Sequence, residues 1–160
     1  MKHTVFVSYY HKADQEKANH LRSYYGKKET LIDRSLKEPY ENISEDKIMA
    51  AIRREHLKES TVTIVLIGSE TSKRKWVDWE INASLRPYGN RTINGLLVIY
   101  LPNAGELPPR LKDNIESGYA VEMKWENISW QLRSKIDEAY KRRNRKDLVR
   151  NNRTRKQNNG

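Results

Sequence analysis

The run from Thr61 to Leu85, TVTIVLIGSETSKRKWVDWEINASL, limits what this chain can fold into more than any other stretch, because it joins a buried strand to an amphipathic helix. Val62 to Ile67 is almost wholly apolar and rich in β-branched residues, which is the composition of a strand covered on both faces in the middle of a parallel sheet. Gly68 ends it. The hydroxyls of Ser69, Thr71 and Ser72 are placed to cap a helix, and from there Trp76, Val77, Glu80, Ile81, Ser84 and Leu85 recur at helical spacing. Trp76 and Glu80 fall one turn apart on the same face. Open α/β sheets bind ligands beyond the carboxyl ends of their strands, where this pair would sit. An indole and a carboxylate there can hold a flat cationic heterocycle.

The rest of the chain repeats the alternation. Thr4 to Tyr9 reads as a first strand, and Asp14 is placed to cap a helix whose inner face carries Ala18, Leu21 and Tyr25 before Gly26 stops it. Thr30 to Asp33 is a short second strand, followed by an irregular loop, Arg34 to Asn42, in which Pro39 forbids ladder pairing. Ser44 caps a helix with Ile48, Ala51 and Ile52 inward, running to about Lys58. Beyond the helix breakers Pro87 and Gly89, Gly95 to Leu101 forms a fourth strand. Pro102 to Ser117 holds one short helical turn, and Tyr119 to Met123 alternates like an edge strand. Asn127 opens a last helix with Ile128, Leu132, Ile136, Ala139 and Tyr140 on one side. Five strands separated by helices imply an α/β fold: a flavodoxin-like five-stranded parallel sheet with helices on both faces.

Charge divides the chain at about residue 140. Residues 141 to 160 hold nine Lys or Arg against one acid, Asp147, a balance of +8, whereas the first 140 residues carry 22 basic and 20 acidic groups, or +2. The expectation is one domain over 1–140 and a basic, disordered C-terminal tail over 141–160, since so polar a segment buries too little to fold alone. The tail is either a solvated extension or a contact for RNA, DNA or an acidic partner; nucleic acid is expected nowhere else.

Several chemistries are excluded. The chain has no cysteine, so disulfides, thiolate zinc sites and cysteine nucleophiles drop out, and a reducing compartment fits. No apolar signal region precedes the first strand and nothing approaches the roughly 20 apolar residues of a membrane span, which points to a cytoplasmic protein with no membrane partner. The seven glycines form no phosphate loop, the four histidines show no metal-ligand spacing and no metal is expected, and no serine sits in a G-x-S-x-G elbow.

Four blocks in order, VFVSYY (Val5 to Tyr10), LIDRSL (Leu31 to Leu36), VTIVLIGSET (Val62 to Thr71) and WVDWE (Trp76 to Glu80), together resemble Toll/interleukin receptor (TIR) domains over about residues 4 to 140. VLIGSET with KWVDWEI most resembles the TIR-like subunit of Thoeris antiphage defence systems. The resemblance implies cleavage of NAD, as substrate and without a further cofactor, and synthesis of a cyclic or otherwise modified ADP-ribose signal that activates a separate effector protein. It also implies a phage-derived trigger and homo-oligomers through TIR contacts. Glu80 matches the catalytic glutamate. Phe6, Ser8, Tyr9, Tyr10, Asp33, Ser35, Leu36 and Trp76 match the NAD-binding positions.

The chemistry is coherent on its own terms. Nicotinamide leaves as a neutral ring, so one carboxylate suffices to steady an oxocarbenium-like transition state. Each residue also has a plainer role: Trp76 as core, Glu80 as a solvated acid paired with a lysine, Asp33 as a turn residue. Many NAD-cleaving members carry an arginine after the Ser-Tyr pair, where this chain has Tyr10 and His11. Its diphosphate contact therefore falls to Lys12, Arg34, Lys73 or another basic group. Two rival functions are a non-catalytic TIR-type scaffold and a nucleoside deoxyribosyltransferase-like enzyme.

Overall fold

A computed structural model describes residues 3–25, 30–32, 44–57 and 59–160. The strands β1 (Thr4–Ser8), β2 (Thr30–Ile32), β3 (Val62–Ile67), β4 (Gly95–Tyr100) and β5 (Val121–Lys124) form one parallel sheet in the order β2-β1-β3-β4-β5. That order is flavodoxin-like, with a switch point between β1 and β3. The helices are α1 (His11–Tyr25), α2 (Glu45–Ala51), α3 (Lys75–Ser84), α4 (Pro109–Glu116) and α5 (Ile128–Arg142).

Strand alternation sorts the core into two layers. Val5, Val7 and Tyr9 face one side of the sheet with Ile64, Leu66, Leu97 and Ile99, where Ala18, Leu21 and Tyr25 of α1 and Leu132, Ile136 and Ala139 of α5 cover them. On the other side, Val65, Ile67, Leu96 and Val98 pack under Val77 and Ile81 of α3 and Leu111 of α4. A third cluster joins Phe6 of β1 to Ile48 and Met49 of α2 and to Trp79 and Ala83 of α3. α3 is thereby pressed across the ends of β1 and β3, with eight of its ten residues buried.

Local chemistry moved several boundaries. α1 begins at His11, because the Tyr10 carbonyl already accepts from the amides of Ala13 and Asp14; Asp14 lies inside the helix at a kink rather than at its cap. The turn hydroxyls do not cap α3 either. Thr71 Oγ1 accepts from the Gly68 amide at 2.8 Å and donates to the Leu66 carbonyl at 3.2 Å, a 3-10 turn occupies Thr71–Lys73, and Arg74 precedes α3 with no side-chain cap. Ser44 does cap α2, accepting from the Lys47 amide, and α2 runs on into a π-helical turn, Ile52–His56. With a proline at its start, α4 makes two turns instead of one. β5 opens two residues late because Tyr119 is drawn into the core, its hydroxyl donating to the Asn94 carbonyl at 2.7 Å. Asn127 gives α5 no side-chain cap.

The largest difference lies in residues 141–160. The first two close α5, a 3-10 turn follows at Lys146–Leu148, and the remainder lies against α4 and α3. The Arg150 amide donates to Asn114 Oδ1 at 2.8 Å and Asn114 Nδ2 donates to the Arg150 carbonyl at 2.7 Å. Arg153 pairs with Asp113 at 2.6 Å and Arg155 with Glu45 at 3.1 Å. Trp79 Nε1 donates to the Lys156 carbonyl at 2.7 Å. Composition suggested a solvated, disordered tail, yet polar groups on the receiving face hold it. No helix among the described residues is long and apolar enough to cross a membrane.

Candidate functional site

The side chain at the centre is Glu80. α3 turns it inward to 1% exposure, and Ser8, fully buried at the end of β1, donates its hydroxyl to Glu80 Oε1 at 2.6 Å. Sequence period explains the meeting. Phe6 and Ser8 alternate onto the α3 side of β1, while Val77 and Ile81 fasten α3 to the sheet and leave Glu80, one residue before Ile81, pointing at β1. A hydroxyl donating to a carboxylate forms one of the stronger hydrogen bonds, so one carboxylate oxygen is fixed in place.

Trp76 lies half-buried one turn before Glu80, packed against the Phe6–Trp79 cluster and edge-on to Trp79, with ring centroids 5.1 Å apart at 72°. Lys75 Nζ stands 4.6 Å above the Trp76 ring. Trp76 thus packs as part of the core and stands one turn before Glu80. Tyr10 is half-buried beyond Ser8, and the Arg74 guanidinium lies 4.4 Å over its ring. Phe6 is wholly buried beneath α3. Tyr9 points to the opposite layer, where its hydroxyl donates to Gln15 Oε1 at 2.9 Å and its ring packs 4.1 Å from His11; burial pushes its hydroxyl pKa upward. The structure therefore brings Ser8, Tyr10, Trp76 and Glu80 to one side of the sheet and sends Tyr9 to the other. Asp33, Ser35 and Leu36 lie outside the described residues.

Two features of this edge escaped the sequence reading. Asp14 is buried with its carboxyl against the backbone at Gly68, and loss of solvent raises its pKa. Arg74 was passed over within the Lys73-Arg74-Lys75 run, which announces a basic entrance to α3 but not which of the three cations turns inward. Behind the site, Asp78 faces away from β1 and pairs with Arg110, Nε to Oδ1 at 3.0 Å, both groups buried. Cavities of about 580, 350 and 320 Å³ lie along α3, α4 and residues 150–157; Glu80 lines none of these three.

A parallel sheet of flavodoxin-like order, with a hydroxyl-held glutamate where β1 and β3 end, places the chain in the α/β class whose ligands enter at the sheet's carboxyl edge. The family model described as the Thoeris protein ThsB, TIR-like domain, matches residues 6–106, more than half of the chain, and the chain belongs to that family. No curated protein matches it.

Proposed function

We propose that this domain cleaves the bond between nicotinamide and ribose in NAD and passes the ADP-ribosyl group on as a cyclic or modified ADP-ribose signal for a separate effector. The observation that carries the reading is the 2.6 Å hydrogen bond from Ser8 to Glu80 at the carboxyl edge of β1. As the C1′–N1 bond breaks, its electron pair goes to the ring nitrogen and nicotinamide leaves neutral, so no proton has to be supplied. Positive charge then develops on the ribose, where a carboxylate held in fixed orientation stabilises it without reorganising. Water or a hydroxyl of the same nucleotide captures C1′ and loses a proton to solvent. Trp76 offers a ring face to the cationic nicotinamide.

A second reading is favoured by one observation. Glu80 is 99% covered and lines none of the three cavities named above, which suits a structural acid in a non-catalytic TIR-type scaffold. Incubation of the full chain with NAD, alone and in lysate of phage-infected cells, separates the two by nicotinamide release. Glu80→Gln is expected to abolish release while the protein stays folded. Equal release by wild type and mutant would take Glu80 out of the reaction. No release by the wild type in either setting, together with concentration-dependent self-association in light scattering, would favour the scaffold.

A further inference from the structure

We infer that Arg74 is the residue that takes the diphosphate of the substrate at the Ser8–Glu80 site, and so selects a dinucleotide over a nucleoside. The inference rests on the proposed cleavage reaction.

Three cations stand at the entrance to α3, and two are engaged. Lys73 pairs with Glu70 at 3.2 Å and is exposed. Lys75 stands over Trp76 and Trp79, at 4.6 and 5.5 Å from their ring centroids. Arg74 differs from both. Its guanidinium lies 4.4 Å over Tyr10, its Nε is buried with no hydrogen-bond partner, and among the described residues it has no carboxylate partner. The other basic groups near the end of β1 do not compete: Lys12 is exposed on α1, and Arg34 lies outside the described residues.

Placement matches the ligand. Tyr10, two residues beyond Ser8 and just outside β1, meets Arg74 at the entrance to α3, the helix that carries Glu80. Arg74 is the residue just before α3 and Glu80 lies on the helix six positions on, so the two differ by roughly 9 Å in height along its axis at about 1.5 Å per residue. That separation suits a ribose ring and its 5′ linkage, with C1′ near Glu80 and the phosphates near Arg74. Guanidinium presents a planar fork of donors matched to phosphate oxygens, and stacking on a ring holds the fork in orientation without using any donor. A buried donor left unsatisfied is costly, and an incoming phosphate oxygen relieves that cost.

The test separates binding from cleavage. By calorimetry on the full chain, ADP-ribose is expected to bind wild type and Glu80→Gln alike, while Arg74→Gln weakens binding at least tenfold and Arg74→Lys recovers part of it. In the cleavage assay, Arg74→Gln is expected to raise KM for NAD at least tenfold with kcat within about threefold, and to leave turnover of nicotinamide riboside, which has no phosphate, unchanged. Unaltered ADP-ribose affinity in Arg74→Gln would overturn the inference, as would equal losses on NAD and on the riboside. If wild type and Glu80→Gln both bind ADP-ribose through Arg74 but neither cleaves NAD, the cleavage reading fails and the Arg74 assignment stands.

Discussion

Ser8 and Glu80 share one short hydrogen bond, and its removal has a stated size. Ser8→Ala leaves a buried acid without that donor, and bonds to charged groups contribute about 1.5–3 kcal/mol, so the unfolding free energy in urea is expected to fall by roughly that amount. If the proposed cleavage holds, nicotinamide release drops with it, because the carboxylate is no longer oriented. Asp14 poses the opposite problem. Burial alone raises its pKa above 3.8, so the folded chain binds a proton there more tightly than the unfolded chain does. Stability contributed by that proton is therefore present at and below the ordinary carboxyl pKa, and is lost as pH rises through the folded value. Asp14→Asn removes the dependence: the melting temperature of the mutant relative to wild type is expected to climb from pH 4 to pH 7, and a flat difference would refute the assignment. Gly68 is the counterpart of Asp14. A Cβ at residue 68 would lie 2.5 Å from Asp14 Oδ2, so Gly68→Ala is expected to cost about 1–3 kcal/mol and Asp14→Ala in the same chain to restore much of it, as a double-mutant cycle in urea would measure.

At the level of strands and helices, most of the fold was legible because burial imposes periods that sequence cannot hide. Val62–Ile67, apolar throughout, is the buried central strand β3; Ile128, Leu132, Ile136 and Ala139 mark the inner face of α5. The ends were harder to read, since caps depend on which partner wins locally. Thr71 had a hydroxyl fit to cap a helix, but the Gly68 amide and Leu66 carbonyl lie closer and take it. Tyr119 looked like a strand residue until the Asn94 carbonyl claimed its hydroxyl. For the candidate site, Trp76 and Glu80 were paired by helical spacing and Ser8 was named only through the family resemblance, whereas Arg74 was not singled out, because only the packing tells a cation lying over Tyr10 from one over Trp76 and one paired with Glu70. One close approach between elements is equally invisible in sequence. A Cβ at Gly95 would fall 2.1 Å from the Ala139 carbonyl, so β4 and α5 touch through backbone there. Gly95→Ala is expected to force α5 off the sheet and cost about 1–3 kcal/mol by thermal or urea unfolding, more than Gly89→Asn, where a Cβ meets nothing and asparagine tolerates the positive φ.

Across the whole molecule, the C-terminal segment braces the helix that carries Glu80. Asp78 is the hub. It accepts from Arg110 Nε at 3.0 Å, from Arg110 Nη2 at 3.3 Å and from the Lys156 amide at 2.8 Å, while Arg110 Nη1 donates to Asn151 Oδ1 at 2.8 Å. Breaking a buried pair by removing one partner costs about 3–5 kcal/mol, whereas exposed pairs such as Arg153–Asp113 are screened by solvent and contribute little. Asp78→Ala is therefore expected to destabilise the chain several-fold more than Arg153→Ala in urea unfolding, and equal effects would remove the hub. The same contacts bear on the basic charge of this segment. Arg145 pairs with Asp147, which the +8 balance already counts, while Arg153 and Arg155 pair with Asp113 and Glu45 outside the segment, so two of those eight charges are answered within the molecule. Nucleic-acid affinity scales with the number of phosphates neutralised, and Arg142, Arg143 and Arg150 each commit a donor to a carbonyl of this fold, at Gly118, Ile93 and Asp147, which reduces what the segment offers to phosphate. Deleting residues 150–160 is accordingly expected to lower the melting temperature and leave binding to a nonspecific duplex nearly unchanged between 50 and 200 mM salt, as compared by anisotropy at both concentrations. A steep salt slope that disappears with the deletion would show instead that the segment releases α3 to reach phosphate.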